Sequence, residues 1–374
     1  MNDRIAALRA EFPVLRSGIY LNSNSTGAIP RDVEQVLRRY WDTLRDWRDD
    51  AWSGWLDELD GYLRALAEFL GAPVDSIVTE ANLTTLLGRL ATCFDFDGPR
   101  REVLITNREF PTVPFLWRGF ARYGAQVEIA DFDTGAVLAA LSARTKLVCV
   151  AHGSYTTGGL LDLNRIVAAA HAVGAEVIVD AFQTVGTVPL NMGTLGVDYL
   201  LGGSHKWLCG AHTAFLYIRP DLIPTLRPAA TGWFAGADPL TFRPTEDWAD
   251  SARRLAGGTP IPLTAMISRL GLDLLATFGA EAIRDHSLRC TDRVIARADA
   301  AGIPIRTPRQ HECRGGIVTL AFPGDRVVKQ RLADREMVCS WRDGLRIAPH
   351  IYNTLDEVDA FMDALIAARQ ELSE

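Results

Sequence analysis

The sequence predicts an α/β fold: a large domain on a mostly parallel, doubly wound sheet, joined to a smaller C-terminal α+β domain. Three observations lead there. Short apolar runs alternate with helical stretches from about Ser76 to Tyr217, which is the rhythm of βαβ units. Beyond Pro262 that rhythm gives way to two long helical stretches and a Pro- and Gly-punctuated region. The length of 374 residues, 48% of them apolar, supplies core enough for two domains or for one large domain with a satellite.

The strands expected are Val103 to Thr106, Gln126 to Ala130, Leu147 to Ala151, Glu176 to Asp180, Tyr199 to Gly202 and Thr213 to Ile218. Leu163 to Val173 carries apolar residues at helical spacing between two of them. Helices over Pro262 to Phe278 and Ala280 to Ala301 precede strands at Gly316 to Ala321 and Leu345 to Ala348. An amphipathic helix over Thr354 to Ser373 opens with a Thr354-x-x-Glu357 capping box. The expected division is a large domain over 19–262 and a small domain made of 1–18 and 263–374.

There are 39 basic and 46 acidic side chains, a net charge of −7, and no basic block, so neither nucleic acid nor a membrane surface is expected as a partner. The six cysteines never form a C-x-x-C pair, which points away from a disulfide framework or a zinc ribbon and toward a cytoplasmic, metal-free protein. No apolar run reaches membrane-spanning length. Only three residues are lysine, against 36 arginines. If the chemistry runs through a lysine amine, the choice is between Lys146, Lys206 and Lys329.

Ligands of doubly wound sheets gather beyond the carboxyl ends of the strands, and charged residues stand there. Asp180 ends an apolar run, where a carboxylate must find a partner or lose its charge; a protonated ring nitrogen would serve, and so would the N–H groups of a following helix. Lys206 follows Tyr199 to Leu201 in Gly202-Gly-Ser-His-Lys206, where desolvation would lower its pKa and make it a nucleophile or Schiff-base amine. Lys146 lies at a strand entrance and Lys329 on a solvated helix face. In Ala81-Asn-Leu-Thr-Thr85 hydroxyls and free N–H groups meet at a helix start, which suits either a phosphate or plain capping.

Taken in order, these features resemble the fold-type I pyridoxal-phosphate enzymes of the class V aminotransferase superfamily, and most of all kynureninase. Tyr20-Leu-Asn-Ser-Asn-Ser-Thr-Gly-Ala-Ile-Pro30 is similar to that family's YLDGNSLGALP, and Phe110-Pro-Thr112 to its FPTD. Ser154-Tyr-Thr-Thr-Gly158 is similar to NYKTG, Gly232-Trp-Phe234 to the start of GWFGH, and Leu345-Arg-Ile-Ala-Pro349 to LRFGFAP. The resemblance implies pyridoxal 5'-phosphate held by Lys206, with Asp180 at the pyridinium nitrogen, Gln183 at the ring hydroxyl and Phe110 on the ring face. Leu83 and Thr84 would bind the phosphate, with Ser204 and His205 adding polar contacts. It also implies a homodimer with a shared active site, Trp233 and Thr259 reaching the partner's phosphate. Arg346 would bind the α-carboxylate of an amino-acid substrate, and Ser25, Trp52, Trp55 and Ala235 would line its side-chain pocket. Each has a plainer alternative: Phe110, Trp52, Trp55 and Trp233 as packing aromatics, Thr259 as a turn hydroxyl, Arg346 as half of a structural ion pair.

The departures concern substrate. Ala235-Gly236 stands where the family has the glycine and histidine that close GWFGH, and Gln183 and His205 look more like the desulfurase and selenocysteine-lyase branch. That branch needs a loop cysteine before the substrate arginine, whereas Cys339 ends an apolar run and reads as a small buried hydrophobe. The expected activity is kynureninase-like hydrolytic Cβ–Cγ cleavage of an L-amino acid. The alternatives are Cβ–S lysis by β-elimination, transamination, epimerisation, or a binding protein on a catalytically dead scaffold.

Overall fold

The computed structural model describes residues 2–243 and 247–372. Ser373, the expected end of the last helix, lies outside them, as do residue 1 and the rest of 373–374 in the expected small domain. Among the described residues no single helix is long and apolar enough to cross a membrane.

Seven strands form the main sheet: β1 (Ile77–Glu80), β2 (Glu102–Thr106), β3 (Gln126–Ala130), β4 (Thr145–Ala151), β5 (Glu176–Asp180), β6 (Tyr199–Gly203) and β7 (Ala214–Ile218). Their order is β1-β7-β6-β5-β4-β2-β3. The five strands from β2 to β6 pair in parallel, and β7 runs antiparallel to both β6 and β1. β4 shows why its sequence is almost wholly apolar: Val148 and Val150 face one core while Leu147 and Cys149 face the other. Helices Ala51–Leu70, Leu163–Ala172 and Pro262–Ala276 cover the first face; Leu83–Ala91 and Thr112–Phe120 cover the second. The expected α/β fold with a mostly parallel sheet is present, and β1 is a strand that the apolar-run pattern did not contain.

A third core joins helices Ala280–Ala300, Asp325–Ala333 and Leu355–Gln370 to an antiparallel sheet of Ser340–Trp341, Leu345–Ile347 and Val318–Leu320. The capping box at Thr354 and Glu357 forms in both directions. Ile19–Tyr20 pairs in parallel with Met337–Val338 and Leu21 enters the third core, whereas Leu8, Phe12 and Leu15 lie in the first, so the N-terminal segment bridges the two units.

The parallel strands end at one edge of the sheet. Because β7 is antiparallel, it is its start that reaches this edge, with Ala214 opposite Gly203. Thr106, Ala151, Asp180, Gly203 and Thr213 therefore converge.

Candidate active site

A cavity of about 390 Å³ opens at that edge. Of the sequence-predicted residues, Ser25, Leu83, Thr84, Phe110, Asp180 and Gln183 line it, together with His205, Lys206 and Arg346.

Lys206 is placed by close backbone packing. A Cβ on Gly27 would stand 1.9 Å from the Lys206 carbonyl oxygen, and the Gly27 N–H donates to the His205 carbonyl at 2.8 Å. A Cβ on Gly203 would stand 2.2 Å from the Phe182 ring. These two glycines let the N-terminal loop and Phe182 close on the lysine from either side. Its Nζ lies 5.2 Å from the Phe182 ring centroid and 5.8 Å from that of Phe110. Burial lowers the amine from its ordinary 10.5 to about 8, Asp180 opposing and Arg346 adding. A quarter or less of such amines is neutral near pH 7.5, far more than for an exposed lysine, so an amine nucleophile or base is available.

Asp180 is 7% exposed and one carboxylate oxygen accepts the Phe182 N–H at 2.9 Å. Burial raises its pKa, with the Phe182 bond and Lys206 opposing. Gln183 donates Nε2 to the Asn24 carbonyl at 3.0 Å and accepts at Oε1 from the Trp207 indole at 3.2 Å, which fixes its amide orientation. At the start of Leu83–Ala91, Asn82 takes the Thr85 N–H as a cap, and Leu83 and Thr84 border the cavity. His205 stacks on His212 at 4.5 Å and burial lowers its pKa to about 4, so its imidazole is neutral.

Arg346 is 4% exposed. Its Nη1 donates to the Tyr155 carbonyl at 2.7 Å, while its Nε is buried without a hydrogen-bond partner. The hydroxyl of Thr213, also on the cavity wall, is likewise buried and unpartnered. A desolvated guanidinium and an orphaned hydroxyl at one cavity are what an anion-bearing ligand completes. The lining thus fits a phosphorylated cofactor and a carboxylate substrate.

Six predicted residues lie elsewhere: Ser204, Trp233, Thr259, Trp52, Trp55 and Ala235. The Ser204 hydroxyl bonds Tyr62 from the neighbouring helix and is fully buried behind Lys206. Trp233, 39% exposed, stacks on Phe242, and Thr259 is exposed near it, the two segments held together by Phe234 N–H to the Gly257 carbonyl. Trp55 packs with Tyr40, Trp47 and Trp52 away from the cavity, and Ala235 is buried. Sequence reasoning missed Asn24, Tyr155, Phe182, His212, Thr213 and Arg342, all of which line the site. Asn24 and Tyr155 stood inside quoted motifs; His212 and Thr213 had no such signal.

Residues 19–361 match the sequence profile of the family described as Aminotransferase class-V. The chain is 29% identical over 370 residues to YcbU, an uncharacterized aminotransferase of Bacillus subtilis, covering 96% of both chains. It is also 29% identical over 362 residues to the kynureninase of Pseudomonas fluorescens, covering 91% of this chain and 86% of that one. Among solved structures, a cysteine desulfurase from Thermococcus onnurineus NA1 superposes with a TM-score of 0.86 at 21% identity over 97% of each chain. The cystine C–S lyase C-DES does so with a TM-score of 0.86 at 22% identity, over 95% of this chain and 99% of that one.

Proposed function

The chain belongs to the class V aminotransferase family of pyridoxal-phosphate enzymes, and we propose that it cleaves the side chain of an L-α-amino acid hydrolytically between Cβ and Cγ, in the manner of kynureninase. The observation that carries this reading is the unpartnered, buried Nε of Arg346 on the wall of the cavity that holds the Lys206 amine. One group is suited to an α-carboxylate and the other to the α-proton of the same molecule.

Lys206 would hold the cofactor covalently and, once released, take the proton from Cα. Asp180 would keep the ring nitrogen protonated, Gln183 would donate to the ring hydroxyl oxygen, and Phe110 would cover the ring. Leu83 and Thr84 would bind the phosphate beside the neutral His205, and Ser204, bonded to Tyr62, would brace the lysine loop from behind. Arg346 would hold the substrate carboxylate with its planar fork, and Ser25 would contact the substrate. Bound there, pyridoxal phosphate supplies an electron sink that acidifies Cα–H and loosens bonds at Cβ. The exposed Trp233 and Thr259 fit a role at a second subunit's phosphate in a homodimer.

A second reading, β-elimination with Cβ–S cleavage of a modified cysteine, uses the same groups. No cysteine lines the cavity, and Cys339 is 4% exposed within the third core, so neither reading involves an enzyme persulfide. Purified protein incubated with kynurenine, cysteine S-conjugates, and an amino acid with an α-keto acid separates the reactions. Anthranilate with alanine supports hydrolysis, pyruvate with ammonia supports elimination, and a new amino acid supports transamination. A protein with no cofactor absorbance band, or one whose Lys206→Ala variant still turns over substrate at the wild-type rate, refutes the assignment.

A further inference from the structure

Among the described residues, Glu109 is the buried carboxyl group beside the cavity that the proposed chemistry leaves unused. It is 6% exposed, in the loop that follows β2. Its Oε1 accepts from the Thr106 hydroxyl and, at 3.3 Å, from the Thr106 N–H; its Oε2 accepts from the Ala151 N–H at 2.8 Å. Ala151 is the last residue of β4 and faces Asp180 across the ladder, and the Asp180 carbonyl accepts the next N–H, that of His152, at 2.9 Å. One carboxyl group therefore joins the end of β2 to the strand beside Asp180. The residue after it is Phe110, whose half-exposed ring meets Tyr155 edge-on and faces the Lys206 amine.

We propose that Glu109 is a positioning residue: a clamp between two strand ends that sets where the Phe110 ring stands over the cofactor site. A carboxyl group bought into the interior has to be repaid by directed bonds, and all three of its bonds go to backbone or side-chain donors at the two strand ends that the clamp would register. Burial pushes its pKa up to about 8, with the Thr106 and Ala151 bonds opposing and Asp180 adding. What the clamp needs is reach rather than charge. Glutamine keeps that reach: its oxygen can accept from Ala151 and its amide donate to the Thr106 hydroxyl, with the loss of only the longer bond from the Thr106 N–H. Aspartate, one methylene shorter, keeps the carboxyl group and loses Ala151.

The proposal rests on the pyridoxal-phosphate reading. The test loads wild type, Glu109→Gln, Glu109→Asp, Phe110→Ala and the double variant Glu109→Asp/Phe110→Ala with pyridoxal phosphate. Circular dichroism of the cofactor band and the rate of cofactor release after gel filtration are then recorded. Loss of one buried bond should speed release about tenfold in Glu109→Asp, with the dichroism of Phe110→Ala. Glu109→Gln should stay within about twofold of wild type, and the double variant should be no worse than Phe110→Ala. An Asp variant like wild type, a Gln variant as damaged as Asp, or fully additive effects overturn the clamp. If Glu109→Asp does not fold, Thr106→Val, which keeps the Ala151 bond, must speed release about threefold; an unchanged rate overturns it. A wild type without a cofactor band overturns the family reading together with the clamp, whereas a normal wild-type band with insensitive variants overturns the clamp alone.

Discussion

Replacing Arg346 by methionine should damage function without damaging the fold. In the free protein the guanidinium is 4% exposed, makes one hydrogen bond, to the Tyr155 carbonyl, and leaves Nε buried and unpaired. Burial lowers its pKa to about 10, with the nearby Arg342 adding to the effect. It therefore stands as a desolvated cation whose solvation cost the fold does not recover. Methionine fills similar space with no charge, so the cofactor-free variant should melt at the same temperature as wild type or higher. A bound α-carboxylate would form two charge-assisted hydrogen bonds, each worth about 1.5–3 kcal/mol. Losing both costs about 3–6 kcal/mol, which is roughly 10²- to 10⁴-fold in kcat/KM at about 1.4 kcal/mol per decade. Arg346→Lys keeps the charge but loses the fork and should fall between the two. The assays are differential scanning of the cofactor-free protein and titration of the cofactor band with amino-acid substrate. A variant that melts well below wild type yet binds substrate normally would make Arg346 a structural residue and refute the reasoning.

Other outcomes follow from the same environments. In the cofactor-free protein, Lys206 binds its proton with a pKa of about 8 against 10.5 when unfolded, a penalty of roughly 3 kcal/mol that is complete below pH 8 and gone above 10.5; Lys206→Met should gain stability over wild type at pH 7 by an amount that shrinks through that window, and a pH-independent difference in urea denaturation would contradict it. His350 is 1% exposed with its pKa lowered by burial from 6.5 to about 4, so the stability it contributes is present above pH 6.5 and is lost as pH falls toward 4; the deficit of His350→Asn, measured by the same method, should narrow by up to roughly 3 kcal/mol over that range. Burial pushes the Cys339 thiol up to about 12, so it should resist thiol reagents in the native protein, and Cys339→Ala should keep activity within about threefold; a loss of cleavage would reinstate a cysteine-dependent route.

The sequence displayed the strands that stand between helical stretches as short, mostly apolar runs. β3 and β5 run over the very residues the apolar pattern marked, Gln126–Ala130 and Glu176–Asp180. β1 escaped because it is only four residues long and ends in Thr79-Glu80, which leaves Ile77-Val78 as its whole apolar run. The site divides along the same line. Asp180 and Lys206 could be read because each is a charged residue just past an apolar run. His212 and Thr213 could not, because they precede a strand, and only the reversed direction of β7 carries that start to the ligand edge; composition does not announce strand direction. Ser204 shows a different limit. Its hydroxyl turns to Tyr62, 142 positions away in sequence, and no local pattern records that partner.

Charge binds these observations together. Among the described residues, the cavity wall carries Lys206, Arg342 and Arg346 against a single carboxylate, Asp180, and two of its polar atoms, Arg346 Nε and Thr213 Oγ1, have no partner. In a chain of net charge −7, desolvating Lys206 and Arg346 so close together, beside the exposed Arg342, is a cost to the fold. A phosphorylated cofactor and an α-carboxylate would bring the missing negative charge, so under the proposed function the groups that strain the free protein would be the ones that bind. The same reasoning separates the three lysines. Lys146 lies at the entrance of β4 and Lys329 on a half-exposed helix, where an ammonium ion keeps its water. Lys206 has lost that water, and with it the high pKa that would keep its amine inert.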